Sequence, residues 1–248
     1  MTIIVLLAAH WSLAAFVQAS FHHRYASHRM FSLTPPAERL FHLLTYLVQG
    51  SSYLSPGAYA ILHREHRAYS DEPGDPHAPK SFSNVLTMMW ATAQRYGAHV
   101  DRTSTPEPRF LGGYPDWVAT RPFCLPVAGP HRVGAAYALL YLWLATAWWQ
   151  FLLLPVHWVM GPIHGAIVNW CGHRYGYRNY ATGDASRNLL PLDFLMLGEL
   201  FQNNHHRAPG RLNFAARGFE FDPTFAVLRL VAQTGALRLH PTALEVLT

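Results

Sequence analysis

Two adjacent histidines close the stretch Gly198-Glu199-Leu200-Phe201-Gln202-Asn203-Asn204-His205-His206. The chain has 16 histidines, and many of them fall into four clusters at the edges of apolar segments or within them. These clusters are His22, His23 and His28; His63 and His66; His164 and His173; and His205 and His206. Because neutral imidazole is a common protein ligand for transition metals, the clustering predicts one metal site that four distant segments build at a membrane surface.

The composition is typical of a membrane protein. Only 13% of the 248 residues are charged, about half the usual share in soluble proteins, and 50% are hydrophobic. The net charge of +5 comes from arginines beside apolar segments, with Lys80 as the single lysine, which fits the positive-inside bias of membrane proteins and argues against a nucleic-acid partner. Two cysteines, Cys124 and Cys171, exclude a disulfide framework and a cysteine-based zinc or iron–sulfur site.

Three segments are apolar enough to predict membrane spans: residues 2–21, 133–153 and 155–173. The first carries no charged side chain and, at ~1.5 Å per residue, crosses a ~30 Å hydrocarbon core. A signal peptide is the alternative, but it normally begins with a basic region that this segment lacks, so we expect an uncleaved span. The other two predict a helical hairpin that turns near Pro155, with Trp148 and Trp149 at the far interface.

A shorter apolar helix is predicted over residues 37–49, after Pro35 and Pro36, and its length suits an interfacial or re-entrant position. Residues 63–131 and 174–248 are polar and predict a cap facing the cytoplasm, the side on which Arg24, Arg64 and Arg174 lie. We therefore expect residues 1–248 to form one all-α integral membrane domain, a helical bundle of about three spans whose cap holds a histidine-rich di-metal site.

The spacing within the clusters suggests how ligands are presented. The candidate pairs are His23 with His28 just beyond the first span, His63 with His66, and Asn169 with His173. Residues three or four apart share a helix face, so the last two pairs would each point in one direction. The adjacent His205 and His206 can both bind only if a turn or helix end directs them to different ions, unless one supports the other.

These seven imidazoles and one amide exceed the four ligands of a tetrahedral zinc site and suit two ions with more ligands each. A nitrogen-rich set with few carboxylates favours redox iron over calcium or magnesium. Haem held between facing histidines is an alternative, although it would use only some of them. His10 and His157 lie alone in apolar segments, and we expect them to be hydrogen-bonded packing residues.

At these residues the chain resembles the membrane fatty-acyl desaturases, in particular the stearoyl-CoA-desaturase-like acyl desaturases of bacterial type. His23 to His28 resembles their first histidine box, HxxxxH, and His63 to Arg67 their second, HRxHH, with Asp75-Pro76-His77 like the DPH that follows. Asn169 to His173 resembles their NxxxH, and Gly176 to Tyr180 their GYRPY. Gln202 to His206 is similar to the third box, HNxHH, and the resemblance runs in order from about residue 12 to 215.

The resemblance implies an enzyme that uses two iron ions, O₂ and an external electron donor, such as a ferredoxin or a cytochrome b5-like protein, to place a cis double bond in a fatty acyl chain. The substrate would be an acyl-CoA or an acyl-lipid, and the enzyme would lie in membrane lipid, in a bacterial inner membrane, with its active site facing the cytoplasm. By position, the metal ligands would be His23, His28, His63, His66, His173, His205 and His206, with Asn169 holding a bound water. Asp71, Asp75, His77 and Glu199 would support the ligands.

Two positions depart from the family pattern. Arg67 and Gln202 stand where the second and third boxes often have a histidine, and an arginine does not ligate metals. Water, Glu65 or His164 could supply the metal ligand that is missing because Arg67 stands where the family has a histidine. Arg67 therefore leaves a catalytically inactive metal- or haem-binding paralogue as an alternative. A lipid or alkyl hydroxylase on the same scaffold is a second alternative, because the outcome depends on how the substrate lies relative to the oxidant.

Substrate contacts are the least defined part of the prediction. Trp11 lies about 18 Å before His23 by helical rise and is a candidate for the far end of an acyl tunnel, with packing against lipid or a helix as the alternative. Arg102, Arg109 and Arg121 are candidates for an anionic head group, or else solvated cap residues.

Overall fold

The computed structural model describes residues 1–117 and 130–244, and most of them are helical. Helix α1 (Thr2–Val17) continues without a break into a π-helical segment, Gln18–Ser27. Together they form a helix of 26 residues, the one helix in the described ranges that is long and apolar enough to cross a membrane. The predicted span 2–21 lies inside this helix, which extends beyond it to the first histidine cluster.

The predicted hairpin is broken more often than its composition suggested. Helix α5 (Pro130–Leu144) is followed by a 3₁₀ segment (Trp148–Leu153), α6 (Leu154–Trp158), α7 (Met160–Ala166) and a π-helical turn (Ile167–Cys171). The prediction of two continuous helices over 133–153 and 155–173 is therefore wrong, and in the described chain a second span exists only if the pair Trp148–Trp158 and Met160–Cys171, bent by 67°, counts as one.

Prolines lie at two of these breaks. Pro155 does not form the turn of a hairpin but sits in the first turn of α6, where its missing N–H costs nothing. Pro162 lies in the first turn of α7 and cannot donate to the carbonyl of Trp158, so the helix restarts after Val159. Apolar composition alone carries no signal for this kink.

Helix α2 (Pro35–Gln49) begins at the predicted proline pair and ends where Gly50 adopts a φ of +54°. A positive φ favours glycine, and it turns the chain out of the helix. One face of α2 packs on α1. The other exposes four large apolar side chains, as an interfacial helix would: Leu40, Leu43, Leu44 and Leu47.

The cap begins with α3 (Pro56–Tyr69), which packs against the π-helical end of the first helix and against α4 (Val85–Val100). Its last part contains α8 (Gln202–Arg207) and α9 (Pro223–Ala232). Two short strands, β1 (Phe31–Leu33) and β2 (Leu237–Leu239), pair antiparallel, so the fold is mostly helical and not strictly all-α as predicted. A core around Phe31, Phe201 and Phe214 joins this ribbon to the cap.

A polar chain ties the apolar helices together. The ring nitrogens of His10 and His157 lie 2.5 Å apart, and Tyr141 Oη lies 3.3 Å from the other nitrogen of His157. The second nitrogen of His10 donates to the carbonyl of Val48. Each imidazole is thus satisfied by hydrogen bonds, as a polar group in apolar surroundings requires.

Candidate metal centre

Two groups of histidines lie next to each other where the first helix meets the cap. The first histidine group consists of His23, His28, His63 and His205, and the second of His66, His173 and His206. Within each group, one possible ligand atom per residue lies within 4.8 Å of the others. Segments that are far apart in the sequence therefore converge on one buried region.

The π-helical end of the first helix explains how His23 and His28 face the same way. A π-helix bonds residue i to residue i+5, and the backbone N–H of His28 donates to the carbonyl of His23 at 3.2 Å. The two rings lie 5.0 Å apart between centroids. His23 thus lies within the helix, and His28 caps it, whereas the sequence suggested that both follow its end.

Helix α3 supplies one ligand candidate to each group. His63 and His66 share a face of α3, with ring centroids 6.3 Å apart, but they belong to different groups. His63 Nε2 lies 2.7 Å from His28 Nε2 in the first group. The shared face of α3 therefore runs along the boundary between the groups and brings them side by side.

Helix α8 also supplies one ligand candidate to each group, from two adjacent residues. Neighbours on an α-helix point about 100° apart, so His205 turns toward the first group and His206 toward the second. His205 Nε2 lies 3.1 Å from His23 Nε2. Of the two arrangements that the sequence left open for this pair, the structure shows the one in which each histidine faces a different group.

The first group directs neutral imidazoles toward a common centre. Burial lowers the pKa of His63 and of His205 well below the ordinary value, so both rings are neutral at pH 7. His23 Nε2 lies 3.1 Å from His205 Nε2, and His28 Nε2 lies 2.7 Å from His63 Nε2, so four ring nitrogens face one centre. Four imidazole nitrogens around one centre form a donor set that fits a transition-metal ion.

The second group fits a metal ion for a different reason. The Nε2 atoms of His66, His173 and His206 are buried and have no hydrogen-bond partner among the described residues. The opposite nitrogens, Nδ1, donate to Asp75 at 2.9 Å, Asp71 at 3.0 Å and Asp184 at 2.6 Å, respectively. A carboxylate on Nδ1 fixes the tautomer that leaves the Nε2 lone pair free for a metal.

Three of the predicted supporting residues lie against ligand candidates: Asp71, Asp75 and Glu199. Asp184 was missed, because it is 22 positions before His206 and no local spacing connects the two. Burial acts to raise the pKa of Asp184, but the bond from His206 outweighs it and holds this pKa well below the ordinary value. Asp184 therefore stays ionised beside the imidazole.

Arg24 is a second residue that sequence reasoning missed. Its side chain is 0% exposed, with Nη1 donating to Glu199 at 2.6 Å and Nη2 to Asp222 at 2.8 Å. Burial raises the pKa of Glu199 to about 7, and this carboxyl group is shared between Arg24 and His23 Nδ1. Arg24 is thus an internal ion-pair partner and not the solvent-facing positive charge expected beside a membrane span.

His77 takes a different position from the one predicted. Its ring lies on His66, with centroids 4.3 Å apart, and its Nδ1 has no hydrogen-bond partner in the described chain. His66, Asp75 and His77 also lie within metal-binding distance of each other. However, Asp75 is already bonded to His66 Nδ1, so this trio shares its atoms with the second group and is not an independent site.

The two departures from the family pattern have specific contacts. Arg67 Nη2 donates to the backbone carbonyl of His206 at 3.0 Å, and Gln202 Nε2 donates to the carbonyl of Glu199 at 2.7 Å. Both side chains therefore support the backbone of the region that carries the third box. Neither belongs to a histidine group among the residues that the structure describes.

The suggested replacements for the missing histidine do not join either group. Glu65 faces the opposite side of α3, where it pairs with Arg95 at 2.7 Å and His99 at 3.2 Å. His164 packs edge-to-face against Trp11, with ring centroids 4.3 Å apart. The suggestion that Glu65 or His164 replaces the missing histidine ligand is therefore wrong.

The remaining predicted residues lie around the site. Asn169 is half-buried in the π-helical turn, which ends at Cys171 before His173, so the two do not share an α-helical face as expected. Trp11 Nε1 donates to the carbonyl of Leu195 at 2.9 Å. Arg109 is exposed and pairs with Glu107. Arg102 lines a surface cavity of about 250 Å³, and Arg121 and Cys124 are outside the described residues.

Comparisons with known proteins identify the family of this chain. The family model described as fatty acid desaturase matches residues 1–215. The chain is 26% identical to the delta-9 desaturase-like 5 protein of Arabidopsis thaliana over 86% of this chain and 68% of that protein. It is 27% identical to the acyl-CoA 5-desaturase AL21 of Anemone leveillei (86% and 64%) and 28% identical to the sn-1 stearoyl-lipid 9-desaturase of Anabaena variabilis (86% and 74%). The chain therefore belongs to the fatty acid desaturase family and is an enzyme that desaturates fatty acids.

Proposed function

We propose that the chain introduces a cis double bond into a saturated fatty acyl chain, using two iron ions, O₂ and electrons from an external protein donor. The observation that carries the proposal is the pair of adjacent histidine groups, in which ring nitrogens of seven imidazoles converge; the Nε2 atoms of the second group are buried with no hydrogen-bond partner among the described residues. When bound, the iron pair would supply the oxidising power needed to remove hydrogen from unactivated CH₂ groups.

In this proposal each histidine group holds one ion. Four imidazoles would bind the first ion, and three would bind the second. Asn169 would hold a bound water, as the resemblance to the family's NxxxH implies. Asp71, Asp75 and Asp184 keep the second group in the metal-binding tautomer, and Glu199 does so for His23. The protein thus fixes ligand orientation before any ion binds.

The donor set favours iron over the common alternatives. Calcium and magnesium prefer oxygen ligands, and nitrogen donors make up both groups. Zinc could occupy the first group as a tetrahedral ion, but it has no redox chemistry and would not serve an oxidation. Imidazole sites with redox function suit iron.

The membrane position follows from exposed apolar surfaces. Large apolar side chains are exposed on α1, α2 and α5, a pattern that soluble monomers avoid. They include Val5, Leu13, Leu40, Leu47, Leu142 and Trp143. We propose that these faces contact membrane lipid, that the cap lies on the cytoplasmic side of a bacterial inner membrane, and that an electron donor such as a ferredoxin or a cytochrome b5-like protein docks there.

The substrate would be a fatty acyl chain carried by CoA or by a lipid, since desaturases of both kinds are among the relatives. Trp11 lies on the first helix before the histidine groups, with its indole against His164. We propose that it closes the far end of the acyl site. The apolar side chains around this acyl site would position the fatty acyl chain and exclude water from its reacting carbons.

Expression in a host that lacks its own desaturase, with mass spectrometry of total fatty acids, tests the proposed activity. New monoenes in wild type, absent in His205→Ala and present in the control His240→Ala, support the desaturase. Hydroxylated chains would instead indicate hydroxylation on the same scaffold, and unchanged fatty acids would overturn the proposed activity.

A further inference from the structure

Large apolar side chains are exposed together on the last part of the cap. Phe194 is 61% exposed, Phe219 58% and Leu192 54%. A backbone bridge pairs Leu192 with Phe221, and the rings of Phe194 and Phe221 lie 5.8 Å apart, so the two segments that carry these side chains are neighbours. Contiguous apolar patches on a protein surface mark sites of contact with a protein, a ligand or a membrane. We call this surface the apolar ledge; it consists of Leu190, Leu192, Phe194, Leu195, Phe219 and Phe221.

The backbone of the apolar ledge is fixed from inside. Asp193 is buried in the middle of the first segment. Its carboxylate accepts backbone N–H groups at 2.7–2.9 Å from Met196, Gly198 and Leu200. The backbone N–H of Phe221 donates to the carbonyl of Pro191 at 3.1 Å and ties the second segment to the first. The ledge is therefore ordered before it contacts anything, which lowers the entropy cost of binding.

The exposed charges of this part of the cap have one sign. Between residues 185 and 244 every carboxylate is buried: Asp193, Glu199, Glu220 and Asp222. The exposed charged side chains in the same range are Arg207, Arg217, Arg229 and Arg238. Arg217 precedes Phe219 of the ledge by two positions. Exposed apolar side chains together with exposed cations fit a membrane surface that carries anionic headgroups.

The apolar ledge meets the first helix. Trp11 Nε1 donates to the backbone carbonyl of Leu195, a ledge residue, at 2.9 Å. Trp11 lies inside α1, in the helix that is long and apolar enough to cross a membrane. The ledge therefore adjoins the segment for which membrane contact is proposed above and does not lie on a remote part of the cap.

We propose that the apolar ledge is a second membrane contact, covered by a lipid layer with anionic headgroups. Leu192, Phe194 and Phe219 lie among the acyl chains, and Arg217 lies at the headgroups, as in interfacial membrane anchors. A second copy of the chain fits less well, because it brings exposed arginines of the same sign together. The proposal rests on the membrane position proposed for the first helix, and it needs neither the metal ions nor the activity.

Quenching of a fluorescent label by lipid tests this contact in the full chain. An environment-sensitive fluorophore is attached at Leu192→Cys, or at Phe219→Cys as a second site, after Cys124 and Cys171 are replaced by serine. The protein is placed in nanodiscs of phosphatidylcholine and phosphatidylglycerol that contain a lipid with a nitroxide on its acyl chain. Both positions are exposed, so the label does not disturb the core.

Two further label positions calibrate the quenching. Leu13→Cys, 53% exposed on α1, reports the first helix in the membrane, and Thr105→Cys, exposed after α4, reports a polar part of the cap. The loss of emission at Leu192 and Phe219 should match the loss at Leu13 and exceed the loss at Thr105. Loss at the two ledge positions as small as at Thr105, with strong loss at Leu13, would overturn the ledge as a membrane contact and leave the position of the first helix intact.

Weak loss at Leu13 as well would contradict both the ledge and the proposed membrane position. A disulfide between two chains through Leu192→Cys, in place of quenching, would assign a second copy and overturn the lipid contact.

The charge of the headgroups is tested with the same label at Leu192→Cys. Nanodiscs of phosphatidylcholine alone should give a smaller loss of emission than the anionic nanodiscs. Arg217→Gln should reduce the loss in the anionic nanodiscs toward that smaller value. Arg102→Gln removes the same charge from another exposed part of the cap and should leave the loss unchanged. Equal loss in the two kinds of nanodisc would contradict the anionic headgroups.

Discussion

His206 donates its Nδ1–H to Asp184 at 2.6 Å, while the Nδ1 of its neighbour His205 is buried with no partner among the described residues. The same difference in Nδ1 partners separates the two histidine groups. Every imidazole of the second histidine group is bonded to a carboxylate, whereas in the first group, within the described part of the chain, only His23 has such a partner, Glu199. The two groups thus offer the same ligand type with different electrostatic support.

Asp184→Asn should weaken metal binding at the second group. An amide accepts the Nδ1–H less strongly than a carboxylate and leaves the imidazole less basic, and such changes typically lower metal affinity about 10–100-fold. Metal titration followed by metal analysis would measure it. Asp101→Asn, an exposed carboxylate at the end of α4, is the control. Equal affinities in Asp184→Asn and wild type would show that the carboxylate does not support a ligand.

Arg24→Met should destabilise the protein strongly. It leaves the buried carboxylates of Glu199 and Asp222 without their cation, and breaking a buried ion pair in this way costs about 3–5 kcal/mol. Denaturant unfolding in detergent measures the change in free energy, and Arg229→Met on the exposed side of α9 serves as the control. A loss no larger in Arg24→Met than in Arg229→Met would contradict the internal role of this ion pair.

Metal-free protein should lose stability as the pH falls from 7 to 5. Burial holds the pKa of His63, His77, His205 and His206 well below the ordinary value of a histidine, so the unfolded chain binds protons in this window and the folded chain does not. Glu199 acts in the opposite direction, because burial raises its pKa to about 7, but it is a single group.

The free energy of unfolding measured at several pH values checks this sign. His63→Gln removes one of the buried imidazoles and should flatten the slope by up to about 1.4 kcal/mol per pH unit below pH 6. The metal-loaded protein is the comparison, since its histidines cannot be protonated while they hold an ion. A metal-free stability that rises on acidification would contradict the neutral state of these rings.

Trp11→Ala should shift the products toward longer acyl chains if Trp11 closes the far end of the acyl site. Removing the indole lengthens the space available to an apolar chain. Chain-length analysis of the products by mass spectrometry measures the shift, and Trp143→Ala, which is 79% exposed on α5, is the control. An unchanged product profile would remove Trp11 from the substrate site.

The sequence was most informative where the chemistry is local. The spacing of His23 and His28 and the order of the boxes led to the family, which the comparisons confirm. The partners Asp184 and Arg24 could not be found in this way, because they meet His206 and Asp222 only after folding, across 22 and 198 positions. Hydrophobic composition predicts that a segment is buried in lipid or protein, but it carries no signal for a π-helical end.

The broken hairpin shows the same limit. Residues 133–173 carry no Asp, Glu, Lys or Arg, and a turn at Pro155 is a reasonable expectation from that pattern. In the structure the chain leaves the helix at Leu144 and bends at Val159, and Pro155 and Pro162 lie in the first turns of the two short helices α6 and α7. Which proline begins a helix and which interrupts one depends on packing that composition does not contain.

Iron counting in the purified, iron-loaded chain shows whether the two histidine groups hold two neighbouring ions. We expect two irons per wild-type chain and about one in each of His205→Ala and His206→Ala, which remove a ligand from the first and second groups, with His240→Ala unchanged. One iron or none in the wild type, or full loading of both variants, would contradict this expectation.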